Sequence, residues 1–145
     1  MMESSEIALL IPHAGSMRLL DRVESWDARS IRCLTTHHCS GNNPLRRADG
    51  KIGAICAVEF AAQAMALHGR LLAGGSGAPT PGFLASVRDV RLHTRFLNEI
   101  VNDIVIDAAL VVGDSRSATY SFTLRAAEAE LASGRATVVF DTAAS

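Results

Sequence analysis

The sequence predicts an α+β domain in which a curved antiparallel β-sheet wraps around one long central helix. Apolar residues and alanines recur with helical spacing over a single long stretch, from about Ala54 to Leu72. The segments around it alternate like strands and are joined by short turns, which favours antiparallel neighbours. Such a sheet buries its apolar face best by curling around the helix.

The predicted strands fall into two groups. Residues 19–26 and 30–36 form an opening hairpin, and the strands after the helix cover residues 83–93, 101–112, 117–126 and 130–141. Glycines 74, 75 and 77 end the helix, and the prolines that follow prevent it from resuming. Residues 124–131 are ambiguous, because their Ala-Ala-Glu-Ala-Glu run would also suit a helix.

The composition limits the classes of function. The 145 residues suit one domain spanning 1–145, and 48% hydrophobic residues with a net charge of -1 favour a compact soluble chain without a basic nucleic-acid surface. No apolar stretch is long enough to cross a bilayer and the amino terminus lacks the basic start of a secretory signal, so we expect a cytoplasmic protein without membrane insertion. Three cysteines without C-x-x-C spacing, and His37-His38-Cys39 without a second ligand pair, predict neither disulfides nor zinc. No cofactor is expected.

Glu59 is the most informative residue, because this carboxylate interrupts the alanine-rich helix. A glutamate is rarely buried without a partner or a role. Among apolar neighbours its charged form would lose hydration, which favours the protonated acid and makes Glu59 a candidate general acid. The alternative is a carboxylate at the helix surface, or one tied to Arg70.

Two segments resemble the β-hydroxyacyl-acyl-carrier-protein dehydratase family. Residues 12–23, Pro-His-Ala-Gly-Ser-Met-Arg-Leu-Leu-Asp-Arg-Val, are similar to the family's opening, and residues 59–63, Glu-Phe-Ala-Ala-Gln, are similar to its Glu-x-x-Ala-Gln on the central helix. The nearest resemblance is to the short branch associated with aryl polyene pigments, where a histidine often follows, as His68 does here. The resemblance implies a hotdog fold, usually dimerised so that two sheets join and two acyl sites form at the interface.

The histidine that serves as base in the best-known members is missing. Those members carry Gly-His-Phe-Pro-Gly before the helix, whereas residues 42–47 here read Asn-Asn-Pro-Leu-Arg-Arg. We therefore predict His13 as the base, because the resemblance implies an imidazole beside the substrate channel there; a surface-turn histidine is the alternative. His38 is the reserve candidate. His68 lies nine residues after Glu59, on the opposite helix face, and His93 is expected to face solvent.

Three further residues complete the predicted site. Gln63 lies one turn after Glu59 and is predicted either to orient its carboxylate or to be a satisfied polar residue at a dimer interface. Gly53 and Ala54 open the helix, where unpaired backbone N–H groups would stabilise charge on a thioester oxygen. The missing side chain of Gly53 would allow close approach.

These observations favour dehydration of (3R)-hydroxyacyl thioesters to trans-2-enoyl thioesters in fatty-acid or polyene-like lipid biosynthesis, with His13 as base and Glu59 as acid. One alternative is a hotdog thioesterase in which Glu59 activates water, and another is a non-catalytic acyl-binding or partner subunit. Expected partners are an acyl carrier protein or coenzyme A thioester, a second copy in a homodimer or higher homo-oligomer, or a related hotdog subunit. Arg46, Arg47 and Arg88 would meet an acidic carrier, with solvated surface charges as the alternative.

Overall fold

The computed structural model describes residues 2–3, 19–36, 38, 43, 45–74, 82–114 and 116–140. Within these residues, one long helix and seven strands define the architecture. In chain order they are β1 (Met2–Glu3), β2 (Arg22–Trp26), β3 (Ser30–Thr35), α1 (Ala57–Leu72), β4 (Gly82–Leu92), β5 (Ile104–Gly113), β6 (Ser117–Ala126) and β7 (Ala129–Phe140). Short 3-10 turns, Ala54–Cys56 and Leu97–Glu99, precede α1 and β5.

The strands form one antiparallel sheet in the order β1-β2-β3-β5-β6-β7-β4. The helix α1 packs against β3, β5, β6 and β7, the central part of this sheet. In β6 nearly every second residue is buried, as expected when one face of a strand meets the core. The α+β prediction of one long helix packed against an antiparallel sheet is therefore confirmed.

Small residues let the helix lie close to the sheet. Ala57, Ala61 and Ala64 on α1 are fully buried, and larger helix side chains such as Phe60 and Met65 fill the space between them. The sheet contributes its own fully or almost fully buried side chains, namely Ile31, Cys33, Ile104, Ile106, Tyr120, Phe122 and Leu124. This packing fixes the rotation of the helix about its own axis and thereby determines which helix residues face outward.

The ambiguous residues 124–131 form the hairpin between β6 and β7. Ala126 pairs with Ala129, which leaves a two-residue turn in which Ala127 adopts a φ of 53°. Positive φ in a two-residue turn matches the twist of the flanking strands. Strand pairing thus outweighs the local helix propensity of this alanine- and glutamate-rich segment.

Strand β4 lies at one end of the sheet and carries a bulge. Between Arg88 and Arg91 the chain advances three residues while its β7 partners, Arg135 and Ser133, are only two apart. The extra residue is accommodated at Asp89, whose φ is 56°. A strand normally turns residues three apart to opposite faces, but the inserted residue brings Val87 and Val90 onto the same groove.

Candidate functional site

Glu59 lies in the first turn of α1 and its side chain is exposed in the single chain. The sequence predicted burial among apolar neighbours, and this part of the prediction is wrong for one chain, because the adjacent residues Val58 and Phe60 take the buried positions instead. No ion pair within the described residues involves Glu59, so the alternative pairing with Arg70 is not formed. The positive end of the helix dipole favours a carboxylate at this position.

The Glu59 carboxylate borders a mostly apolar groove of about 450 Å³. The other lining residues come from three parts of the chain: Leu45 from the segment before the helix, Ile55, Cys56 and Val58 from the helix start, and Val87 and Val90 from β4. Aliphatic walls with one carboxylate suit an apolar chain whose polar end reaches Glu59. Val87 and Val90 were missed from the sequence, because only the bulge in β4 brings both to the groove.

The groove environment shifts the pKa of the Cys56 thiol. Burial, first, and the charge of Glu59, second, raise its pKa above the ordinary range. The thiol is therefore protonated at neutral pH and serves as part of the apolar wall rather than as a nucleophile.

The backbone N–H groups of Gly53 and Ala54 were both predicted to be free at the helix start, and one of them is hydrogen-bonded. The N–H of Ala54 donates to the carbonyl of Arg95 at 2.9 Å, and the Leu97 N–H donates to Ile52 at 2.8 Å, so that Gly53 and Phe96 face each other in an isolated bridge. The prediction that Ala54 offers a free N–H is therefore corrected. The N–H of Gly53 has no hydrogen-bond partner in the described part of the chain, and a Cβ built on Gly53 meets no atom within 4 Å.

Gln63 is buried, with 4% of its surface exposed. Its Oε1 accepts the N–H of Leu19 at 2.8 Å, which ties the chain entering β2 to the helix. This hydrogen bond lies inside the protomer, and it gives Gln63 a structural function that neither sequence interpretation anticipated. A role in substrate binding stays a prediction.

The histidines have distinct environments. His13, the predicted base, lies outside the described residues. His68 is fully buried on the face of α1 opposite Glu59, as predicted, where its Nδ1 and Nε2 lie 2.7 Å from the Tyr120 hydroxyl and the Asp27 carbonyl. Because a carbonyl only accepts, Nε2 carries the hydrogen and Tyr120 donates to Nδ1. Burial raises the pKa of Tyr120 to about 12.

The other two described histidines differ in exposure. His93 is exposed as predicted, and its Nε2 lies 3.1 Å from Glu130. His38, in contrast, is 1% exposed, and its Nε2–H donates to the carbonyl of Ile100 at 3.0 Å.

Three cations gather around the ring of Phe96. The Lys51 Nζ lies 4.7 Å from the ring centroid, and the guanidinium carbons of Arg47 and Arg95 lie 5.7 Å away. Phe96 faces Gly53 across the isolated bridge, so this basic cluster stands beside the segment that leads into the central helix. The sequence drew attention to Arg46 and Arg47 but not to Lys51 or Arg95, because they come together only through the Gly53–Phe96 bridge.

None of the described helices is both long and apolar enough to span a bilayer. Among the residues that the structure describes, no three histidine, cysteine, aspartate or glutamate side chains are grouped so as to hold a metal ion.

Comparisons with known proteins agree with this architecture. A chain from the dehydratase heterocomplex ApeI:P of Xenorhabdus doucetiae superposes with a TM-score of 0.82 at 21% identity, covering 94% of this chain and 91% of that one. The mutant thioesterase PA1618 of Pseudomonas aeruginosa superposes with a TM-score of 0.56 at 14% identity, covering 83% and 81%. The thioesterase HI1161 of Haemophilus influenzae gives 0.58 at 11% identity, covering 83% and 77%.

These likenesses show the hotdog fold. Comparison with curated sequences gives no significant match. The model of one protein family, described as ApeP dehydratase, matches residues 5–144, almost the whole length of the sequence. The chain therefore belongs to the ApeP-like dehydratase family.

Proposed function

We propose that this chain removes water from (3R)-hydroxyacyl thioesters to give trans-2-enoyl thioesters, in fatty-acid or polyene-like lipid biosynthesis. The observation that carries the proposal is the Glu59 carboxylate, which borders an apolar groove at the start of the central helix in a member of a dehydratase family. The reaction requires a base for the C2 proton, an acid for the departing C3 hydroxyl, and a donor to the thioester oxygen. It needs no cofactor.

Glu59 is the proposed acid. It lies at the polar edge of a groove whose aliphatic walls suit the acyl chain, so a thioester seated there presents its 3-hydroxyl to the carboxylate. The proposed donor to the thioester oxygen is the Gly53 N–H, which has no hydrogen-bond partner among the described residues and lies two residues before Ile55 of the groove wall. Gln63 is proposed to support binding indirectly, by holding Leu19 against the helix.

The test follows the appearance of the enoyl thioester by absorbance when purified protein is mixed with 3-hydroxyacyl carrier protein. Glu59→Gln keeps the shape of the side chain but removes the acid, and we expect at least a hundredfold loss of kcat, typical of a lost general acid. Glu128→Gln, an exposed site in the β6–β7 turn, is the matched control and should retain activity. The predicted base is tested in parallel with His13→Ala; unchanged activity in both Glu59→Gln and His13→Ala would refute the assignment.

The carrier of the acyl group is proposed to be anionic, either an acyl carrier protein or coenzyme A. The cluster of Arg47, Lys51 and Arg95 around Phe96 supports this proposal, because it concentrates positive charge beside the segment that leads into the helix carrying Glu59. Arg47 is partly neutralised by Asp49 at 2.9 Å, which leaves Lys51 and Arg95 as the main contributors. Such charges act chiefly on the encounter rate and on binding of the carrier rather than on chemistry.

A thioesterase is the second candidate, favoured by the thioesterases among proteins of the same fold. In that reaction Glu59 would activate a water molecule against the thioester carbonyl instead of protonating a leaving hydroxyl. Release of free thiol from a saturated acyl thioester, which has no 3-hydroxyl to eliminate, distinguishes hydrolysis from dehydration. A saturated substrate that yields thiol in a Glu59-dependent manner would replace the dehydratase proposal.

A second hotdog chain is the proposed assembly partner, either another copy or a related subunit. Strand β4 ends the sheet, and an edge strand offers unpaired backbone groups to another chain. Leu84 and Val87 on this strand are exposed. The similar chain from the ApeI:P heterocomplex comes from an assembly of two different subunits, which supports a hetero-oligomer. If activity appears only when a co-purifying hotdog subunit is added, this chain is the partner subunit rather than a self-sufficient enzyme.

A further inference from the structure

The bulge in β4 separates apolar from charged side chains along the groove. In an unbroken strand alternate residues share a face, so Val87 would be followed into the groove by Asp89 and Arg91. A carboxylate and a guanidinium would then stand in a mostly apolar groove. The extra residue at Asp89 instead leaves Val87 and Val90 as the groove-lining residues of β4. The bulge therefore gives the groove an aliphatic wall.

The conformation of Asp89 is unfavourable for folding. Its φ of 56° lies in the left-handed region, which residues with a side chain avoid. Asp89 is exposed, so burial of its own side chain does not compensate for this conformation. Because bulges beside binding sites commonly redirect a side chain, a strained residue next to a groove points to a function for the bulge.

Val90 is held in place by the sheet behind it. Gly134 lies on β7 between the residues that pair with Arg88 and Arg91. A Cβ built on Gly134 would lie 3.3 Å from Cγ2 of Val90 and 2.9 Å from Cζ of Phe122, so both side chains project over the space that a larger residue would fill. Since Phe122 is only 2% exposed, its ring has little room to move, and Val90 cannot withdraw toward the core.

The second valine of this wall is less constrained. Val87 and Val90 lie opposite positions two residues apart on β7, which places them about 7 Å apart along β4. An acyl chain that runs along the wall passes both. Val87 is 37% exposed and has Ala136 opposite it, whereas Val90 is half-buried in front of Phe122. Val90 therefore limits the width available to the chain.

We propose that Val90, placed by the bulge at Asp89, makes the groove selective for straight acyl chains over branched ones. This inference rests on the dehydratase function proposed above and names the chemical class of its substrate. A straight chain lies flat along the aliphatic wall of Val87 and Val90. A methyl branch at the level of Val90 needs space that the Phe122 ring does not yield.

The experiment compares a straight 3-hydroxyacyl pantetheine thioester with analogues that carry one methyl branch, moved carbon by carbon along the chain. For the wild-type protein we expect one branch position at which kcat/KM is roughly tenfold or more below that of the straight substrate. Val90→Ala should remove most of this difference, and Val90→Ile should widen it. Lower stability would reduce the rates with both substrates alike and leave their ratio unchanged.

Val112→Ala is the matched control for this series. It makes the same chemical change at a 65% exposed site on β5 and should keep the wild-type ratio between straight and branched substrates. The same ratio in the wild-type protein and in Val90→Ala would overturn the proposal.

A binding measurement separates this inference from the dehydratase function itself. Saturated acyl pantetheines have no 3-hydroxyl to eliminate, so calorimetric titration with straight and branched ones reports on the groove without chemistry. We expect the wild-type protein to bind the straight chain more tightly and Val90→Ala to bind both alike. This pattern without dehydration of any 3-hydroxyacyl thioester would overturn the proposed function and support the role of Val90. Dehydration with a branch preference that does not depend on residue 90 would do the reverse.

Discussion

Replacing Gly53 by alanine tests whether a thioester comes close to the start of the central helix. The protein itself has room for the new methyl group, because a Cβ built there meets no atom within 4 Å. The backbone also permits alanine, since Gly53 has a φ of -61° and a ψ of 147°. The loss of glycine's freedom in the unfolded chain should stabilise the protein by about 0.4–1 kcal/mol. A calorimetric midpoint that is unchanged or a few degrees higher is therefore expected.

The same substitution should impair catalysis. If the Gly53 N–H binds the thioester oxygen at about 2.9 Å, the rest of the thioester must pass beside the new methyl group. We expect kcat/KM to fall at least tenfold, which corresponds to about 1.4 kcal/mol of transition-state stabilisation. The assay is the appearance of the enoyl thioester at substrate concentrations below KM. Wild-type kcat/KM in Gly53→Ala, alongside an inactive Glu59→Gln, would refute close approach at Gly53.

Gly134→Ala is the matched stability control. A Cβ at this position would lie 2.9 Å from Cζ of Phe122 and 3.3 Å from Cγ2 of Val90, both closer than ordinary contact allows. Phe122 is only 2% exposed, so its ring has little space into which to move. We expect a loss of about 1–3 kcal/mol of unfolding free energy from this overpacking. An equal effect of alanine at both glycines would contradict the difference in space seen around them.

Two further predictions concern stability and carrier binding. Tyr120→Phe leaves the buried Nδ1 of His68 without its donor and should cost about 1–3 kcal/mol, measured by urea unfolding at pH 7. The pKa of Tyr120 is raised to about 12 from 10.0. The stability that its neutral hydroxyl contributes to the folded state is therefore complete below pH 10 and is lost as the pH rises toward 12. Tyr120→Phe should lack this alkaline loss of stability. Lys51→Gln should raise KM for an acyl carrier protein several-fold at low salt, with kcat unchanged, and the difference should shrink in 0.5 M salt. A KM that changes neither with the substitution nor with salt would show that the basic cluster takes no part in carrier binding.

Local patterns were sufficient to predict the main elements. The helix from about Ala54 and the strand at residues 117–126 follow from side-chain periodicity, which acts within a segment of about ten residues. The bulge at Asp89 could not be predicted in this way, because it is defined by the register of β4 against β7, far along the chain. The hydrogen bond from Ala54 to Arg95 depends likewise on a long-range bridge.

The predicted site likewise contains residues that the local sequence identified and contacts that only the long-range structure defines. Glu59 was identified because its charge breaks a local apolar pattern, and Gly53 because it opens the helix. The hydrogen bonds of Gln63 to Leu19 and of His38 to Ile100 span 44 and 62 residues in sequence, so their partners are invisible to local reasoning. Residue type therefore indicated which side chains to consider, whereas only the tertiary structure showed what each one contacts.

The exposure of Glu59 gives a physical reason for the proposed assembly. A general acid is most effective where water is excluded, yet in one chain the carboxylate faces an open groove. Ile55 and Val87, which line the same groove, are 58% and 37% exposed, although aliphatic side chains in such a position favour burial. A second chain docked along β4 would cover these residues and remove water from around Glu59. The apolar sequence around this glutamate then matches the environment it would have in the assembly rather than the one it has in a single chain.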